Sequence, residues 1–343
     1  MYSFMNDYSE GAHPRILELL MKSNLEQNIG YGEDVHSQKA KMLIKKQLKR
    51  DDVDIHFIPG GTQTNLLVIS AFLRPHQCVI AVDTGHVNVH ETGAIEATGH
   101  KVYTVPGKEG KLTPEAIISA LHYHTDEHMV QPKMVYLSDS TELGTIYSKA
   151  ELAAIHRVCQ LNDLLLFMDG ARLASALTCR GNDIELSDLP QLVDVFYIGG
   201  TKNGAFLGEA LVICKDELKK DFRFLIKQRG AMMAKGFIAG IQFEVLFEDN
   251  LYFELGYHAN EMAEKISKVL TECGYSFYAP PCTNQLFPIL PNDILDELSE
   301  KFRYSVQIKL DDHHSVVRFV TSWATTQKGV ASLSEFFYGI AGK

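Results

Sequence analysis

Along the chain, apolar runs rich in β-branched and aromatic residues alternate with stretches in which apolar residues return every three or four positions. The runs Asp54–Pro59, Cys78–Val82, Lys101–Val105, Met134–Leu137, Leu164–Met168, Val193–Ile198 and Ala210–Cys214 predict strands. Between them the spacing predicts helices over Thr62–Leu73, Thr113–Tyr123, Ser148–Leu161 and Asp216–Gln228. Two starts are legible in detail: Thr113 followed by Pro114 is an N-cap with proline at the first helical position, and Ser148 with Glu151 forms a capping box. Strands that are apolar throughout and alternate with helices predict a mostly parallel sheet covered on both faces, the α/β class. Beyond Gly240 one nearly unbroken helical stretch runs to about Cys273. Short strands are then predicted around Ser276–Tyr278, Gln285–Leu290, Ser305–Ile308 and Val316–Val320. This shift predicts a large domain over residues 1–250 and a smaller C-terminal α+β domain over 251–343.

Composition narrows the classes of function. The 343 residues are enough for a substantial core, and a net charge of −10 opposes general attraction to nucleic acid or anionic membrane. The six cysteines form no CxxC pair, which points to free thiols in a reducing compartment. The opening MYSFMNDYSEGAHPRI has no basic-then-apolar pattern, and no apolar run is long enough to span a bilayer. A cytoplasmic protein is expected, with no nucleic-acid or membrane partner.

Four stretches carry candidate chemistry, each just beyond a predicted strand. In FIPGGTQTN (57–65) a glycine pair leads into a helix. Gly61 and Thr62 there can seat a phosphate on free backbone N–H groups, although read alone the stretch is more simply a turn with Thr62 as N-cap. In LLLFMDGAR (164–172), Asp169 ends a strand and can meet a cationic ring nitrogen or a metal, or it can cap the next turn with Arg172 as its ion-pair partner. In YIGGTKNGAFLGEA (197–210), Lys202 precedes an Asn-Gly turn. It is either a solvent-facing turn lysine or an amine that condenses with a carbonyl. In DTGHVNVHETGA (83–94), His86 can stack on an aromatic ring, whereas His86 and His90, four apart with Glu91 beside them, lack a third ligand at metal-site spacing and no metal is expected. A phosphate seat, a stacking histidine, a carboxylate for a pyridinium nitrogen and a lysine for an aldehyde are together the requirements of pyridoxal 5′-phosphate.

These residues resemble the fold-type I pyridoxal-phosphate enzymes of the threonine aldolase and β-eliminating lyase group, over nearly the whole chain. PGGTQTN (59–65) is similar to that group's phosphate-binding turn, DGAR (169–172) to its ring-nitrogen segment and TKNG (201–204) to its Schiff-base lysine turn. VVRFVTSWATT (316–326) resembles its carboxylate-binding segment, and YGED (31–34) a mobile loop near its N-terminus. The resemblance implies Lys202 as the Schiff-base lysine, Asp169 as the pyridinium partner, His86 as the stacking residue, and Gly61 and Thr62 at the phosphate. It also implies Arg172 and Arg318 at the substrate carboxylate. A homodimer or homotetramer with shared active sites follows from the same resemblance, with Lys227-Gln228-Arg229 reaching the neighbour's phosphate.

The implied reaction is retro-aldol cleavage of an L-3-hydroxy-α-amino acid to glycine and an aldehyde. Glu142 stands where many threonine aldolases carry a histidine, and STELGTIY with VVRFVTSWATT is closer to the phenylserine aldolase branch. His86 and Glu142 are the two candidates for the base at the β-hydroxyl. Elimination of a β-substituent, transamination and a silent pyridoxal- or amino-acid-binding protein are the competing functions. A dinucleotide-binding dehydrogenase lacks its glycine fingerprint here.

Overall fold

The computed structural model describes residues 1–342. After a short strand β1 (Tyr2–Ser3), seven strands build the main sheet: β2 (Asp54–Ile58), β3 (Gln77–Val82), β4 (Lys101–Val105), β5 (Gln131–Ser138), β6 (Leu165–Asp169), β7 (Val195–Gly199) and β8 (Glu209–Ile213). Their order is β2-β8-β7-β6-β5-β3-β4, and β8 alone runs against its neighbours. The α/β class with a mostly parallel sheet is therefore the observed one.

Period-two alternation explains why the central strands β6 and β7 are apolar at nearly every position. Leu166, Met168, Phe196 and Ile198 enter one core, while Leu165, Phe167, Val195 and Tyr197 enter the core on the opposite face. The two legible helix starts form as read: Thr113 Oγ1 accepts from Ala116 N, and Ser148 and Glu151 close a reciprocal capping box.

The C-terminal segment adds β9 (Gln285–Leu286), β10 (Ile289–Pro291), β11 (Phe302–Arg303), β12 (Ser305–Lys309) and β13 (His314–Val320). Strand β13 is central to a small antiparallel sheet, and β1 pairs in parallel with β11. A third apolar core gathers Phe4, Ile266, Leu286, Phe319 and Phe337, so the first residues of the chain pack with the last hundred. Helix Leu251–Glu272 enters both regions, with Leu251 and Leu255 in the large core and Met262 to Leu270 in the small one.

Several predicted elements are corrected. The long stretch after Gly240 is two helices, Phe237–Phe247 and Leu251–Glu272, separated where Asp249 and Asn250 adopt φ of 55° and 62°. Asp216–Gln228 likewise reduces to a short 3₁₀ turn and helix Phe222–Gln228, with Asp221 left-handed between them. Ser276–Tyr278 leaves only a bridge from Phe277 to Pro288. The predicted strand Gln285–Leu290 is split around Pro288, which has no N–H to donate to a ladder.

Candidate active site

The carboxyl ends of β2, β3, β5, β6 and β7 meet at one edge of the sheet, where ligands collect in open α/β proteins. A cavity of about 330 Å³ opens there, and its walls include Gly61, Thr62, His86, Glu142, Asp169, Arg172 and Lys202. Seven of the eight residues singled out in the sequence thus face one space. The eighth, Arg318, lies on β13 outside those walls, within electrostatic reach of Arg172, Asp7, Tyr8 and Glu142.

Helix Gly61–Phe72 begins directly after β2, and its N-cap is Gly60, which supplies no side-chain cap; Thr62 is exposed and does not fill that role. The backbone N–H groups of the first turn are left to a ligand at the positive end of the helix dipole.

Asp169 ends β6 and is almost wholly buried. Its Oδ2 accepts from Tyr136 Oη at 2.6 Å and Asn65 Nδ2 at 3.1 Å, and its Oδ1 accepts from Ala171 N at 3.0 Å. Burial pushes this carboxyl upward. The charge of His86 and hydrogen bonds from Tyr136, Tyr197 and Ala171 outweigh it and hold the group ionised below the usual range. Gly170 follows because a Cβ there would sit 1.9 Å from the Tyr197 carbonyl oxygen.

His86 opens the short helix after β3, and its Nδ1 lies 2.8 Å from Glu91 Oε1, which also accepts from Asn65 Nδ2. Nε2 remains for the cavity. Burial disfavours the imidazolium, but the Glu91 bond and the charges of Glu142, Asp169 and Glu91 raise its pKa above the ordinary histidine value.

Lys202 sits in the turn between β7 and β8. Gly204 takes φ of +90°, its carbonyl accepts from His13 N, and Asn203 Nδ2 donates to the Tyr252 carbonyl. Removal from bulk water, then the charge of Arg172, lowers the pKa of the amine against the opposing pull of Asp7, Glu142 and Asp169. A lysine held this way is a better nucleophile near neutrality than one in solvent.

Arg172 is committed differently from expectation. Its Nε and one terminal nitrogen clasp both oxygens of Asp7 at 2.7 and 3.1 Å, and Asp7 also accepts from Asn284 Nδ2. Among the described residues Arg318 makes one weak donation, to the Met5 carbonyl at 3.4 Å, and its buried Nε has no partner there, so it keeps donors for an incoming carboxylate. Lys227 and Arg229 are exposed and stay outside this cavity, although Gln63 Nε2 binds the Arg229 carbonyl beside the helix start.

Asn65, Tyr136, Tyr197, Asn284 and Glu209 were not singled out in the sequence, and Glu91 was noted only as a neighbour of His86 and His90. Tyr136 and Tyr197 read as core aromatics because they alternate correctly inside strands. Asp7 and Asn284 carry no local pattern.

The beta-eliminating lyase family model matches residues 12–291. The chain belongs to that family. Among the family's relatives, the low specificity L-threonine aldolase of Pseudomonas aeruginosa is 30% identical over 339 residues, 96% of this chain and 95% of that one. A solved Leishmania major threonine aldolase is 52% identical with a TM-score of 0.98, covering 99% of this chain and 100% of that one. A Clostridium acetobutylicum histidinol-phosphate aminotransferase, 16% identical with a TM-score of 0.75 over 100% and 99% of the two chains, shares the fold. The fold is thus that of the fold-type I enzymes.

Proposed function

We propose that this family member is a pyridoxal-phosphate-dependent aldolase, cleaving an L-3-hydroxy-α-amino acid to glycine and an aldehyde. The observation that carries the reading is the single cavity shared by Lys202, Asp169, His86 and the uncapped helix start at Gly60. The two threonine aldolases support the choice of reaction.

The residues fit the cofactor. The first turn at Gly61 and Thr62 would hold its phosphate, ionised Asp169 its ring nitrogen as N–H, and Lys202 its aldehyde carbon. When bound, the cofactor supplies an electron sink for the bond broken at the substrate Cα. Arg318 receives the substrate carboxylate and fixes which Cα bond faces that sink, and Arg172, its charge balanced by Asp7, braces this end of the site. His86 Nε2 is the first candidate to take the β-hydroxyl proton, with Glu142 across the cavity as the second. A base with a raised pKa makes activity rise with pH through that value, above the ordinary histidine range.

A homodimer or homotetramer completes the site, with Lys227 and Arg229 turned toward a neighbour. Met21, Leu25, Ile29 and Val35 are exposed apolar residues suited to cover by a second copy. Among the described residues no helix is long and apolar enough to cross a membrane, and we place the protein in the cytoplasm.

Pyridoxal phosphate added to the purified chain is expected to give a visible absorption band that borohydride bleaches while fixing the cofactor on Lys202, as located by peptide mass. Lys202→Ala should lose both band and turnover, and Asp169→Asn most of the turnover. Release of ammonia and a keto acid instead of glycine and an aldehyde from 3-hydroxy amino acids would assign the site to elimination.

A further inference from the structure

One buried ionisable group at the cavity has no part in this chemistry. Glu209 is the first residue of β8, only 4% exposed, and it lines the cavity. Because β8 runs against its neighbours, its first residue lies at the edge where the parallel strands end, paired with Gly199 of β7 and Ile58 of β2. Its carboxyl grips the residues just before Lys202: Oε2 accepts from Gly200 N at 3.2 Å, and Oε1 from Thr201 Oγ1 at 3.1 Å.

The Thr201 hydroxyl also accepts from Gly208 N at 3.0 Å, which occupies one of its two lone pairs. With Glu209 ionised, the hydroxyl donates to Oε1. With Glu209 protonated, Oε1–H can donate to the remaining lone pair. Both protonation states of the carboxyl are therefore satisfied without moving the backbone, unlike those of a carboxylate bound only by N–H groups.

We propose that Glu209 is the proton partner of Lys202: one proton passes from the Lys202 ammonium to the Glu209 carboxylate, leaving a neutral amine and a neutral acid, and returns when the lysine is released. The role rests on the reading of Lys202 as the amine that takes the cofactor. Four titratable groups face Glu209 from the surrounding elements: Lys202 in the turn, Asp169 on β6, Tyr197 on β7 and Tyr252 on helix Leu251–Glu272. Burial raises the Glu209 pKa, Lys202 opposes that rise and Asp169 adds to it. Tyr197 and Tyr252 stay neutral, since burial lifts both phenols well above their ordinary value. Glu209 thus has one cation, Lys202, among these groups. It is a positioning residue for charge, acting through the lysine.

The test is competitive labelling of the full-length chain, free of pyridoxal phosphate, with isotopic acetic anhydride across pH, reading the Lys202 peptide by mass spectrometry. Wild type is expected to gain reactive amine in two steps, as a coupled pair does. Glu209→Gln, which keeps an acceptor for Gly200 and a donor for Thr201, should give one step with its midpoint about one pH unit or more lower, roughly a tenfold gain in labelling below it. Glu209→Asp, which keeps the charge, should stay near wild type. A single-step curve in wild type, or a folded Glu209→Gln protein that reproduces the wild-type curve, overturns the proposal and leaves Glu209 a clamp on the turn. Because no cofactor is present, either result leaves the borohydride test of Lys202 untouched.

Discussion

At the scale of single residues, the site is built from buried carboxylates, each held by several hydrogen bonds. Glu91 governs His86: it is buried, holds Nδ1 and raises the imidazole pKa. Glu91→Gln is therefore expected to lower that pKa and move the rising limb of kcat/KM to lower pH. A pH–rate profile that keeps its wild-type midpoint in this variant would transfer the base role away from His86. Candidate residues were legible where a chemical type stood at a strand exit: Asp169, Lys202 and His86 are polar interruptions of apolar runs. Their supports were not, because Tyr136, Tyr197 and Asn65 look like ordinary members of a strand or helix, and only tertiary packing turns their polar atoms toward Asp169.

At the scale of elements, apolar periodicity gave reliable information about strands and less about where helices stop. The main-sheet strands lie within a few residues of their predicted runs: β3, β6, β7 and β8 are buried at every position, and the edge strands β2 and β4 keep enough apolar residues to show despite their polar, partly exposed ones. The break at Asp249-Asn250 was hidden because both residues tolerate left-handed backbone while the flanking apolar spacing continues across it. That break sets helix Phe237–Phe247 against helix Val35–Leu48, where His36 Nδ1 meets Glu244 at 2.7 Å and Nε2 meets Glu26 at 2.9 Å. Burial disfavours the His36 cation, but the bonds and charges of the two glutamates raise its pKa. A raised folded-state pKa contributes stability that is fully present below the unfolded histidine value and lost as pH rises through the folded one. The melting temperature should thus fall as pH rises from the unfolded histidine value, about 6.5, through the higher folded one, and His36→Gln should flatten that fall. An equal slope in the variant would place its origin elsewhere.

For the whole molecule, the second copy proposed above would cover the exposed Lys227 and Arg229 and the exposed apolar residues Met21, Leu25, Ile29 and Val35. Light scattering is expected to give a dimer or tetramer. Arg229→Glu and Lys202→Ala, each inactive by itself, should regain partial activity when their subunits are mixed and exchanged. Failure of exchanged subunits to recover any activity would confine each site to one chain.

The clasp between Asp7, Arg172 and Asn284 joins positions 165 and 277 residues apart. Asp7 is synthesised 165 residues ahead of Arg172 and 277 ahead of Asn284. Nothing near Asp7 in the sequence can hold it in the meantime, and closing so long a loop is slow. The sheet can therefore form before the site exists. In refolding from denaturant, far-ultraviolet ellipticity should recover ahead of activity, and a bulky fusion at the amino terminus should delay the second without changing the first.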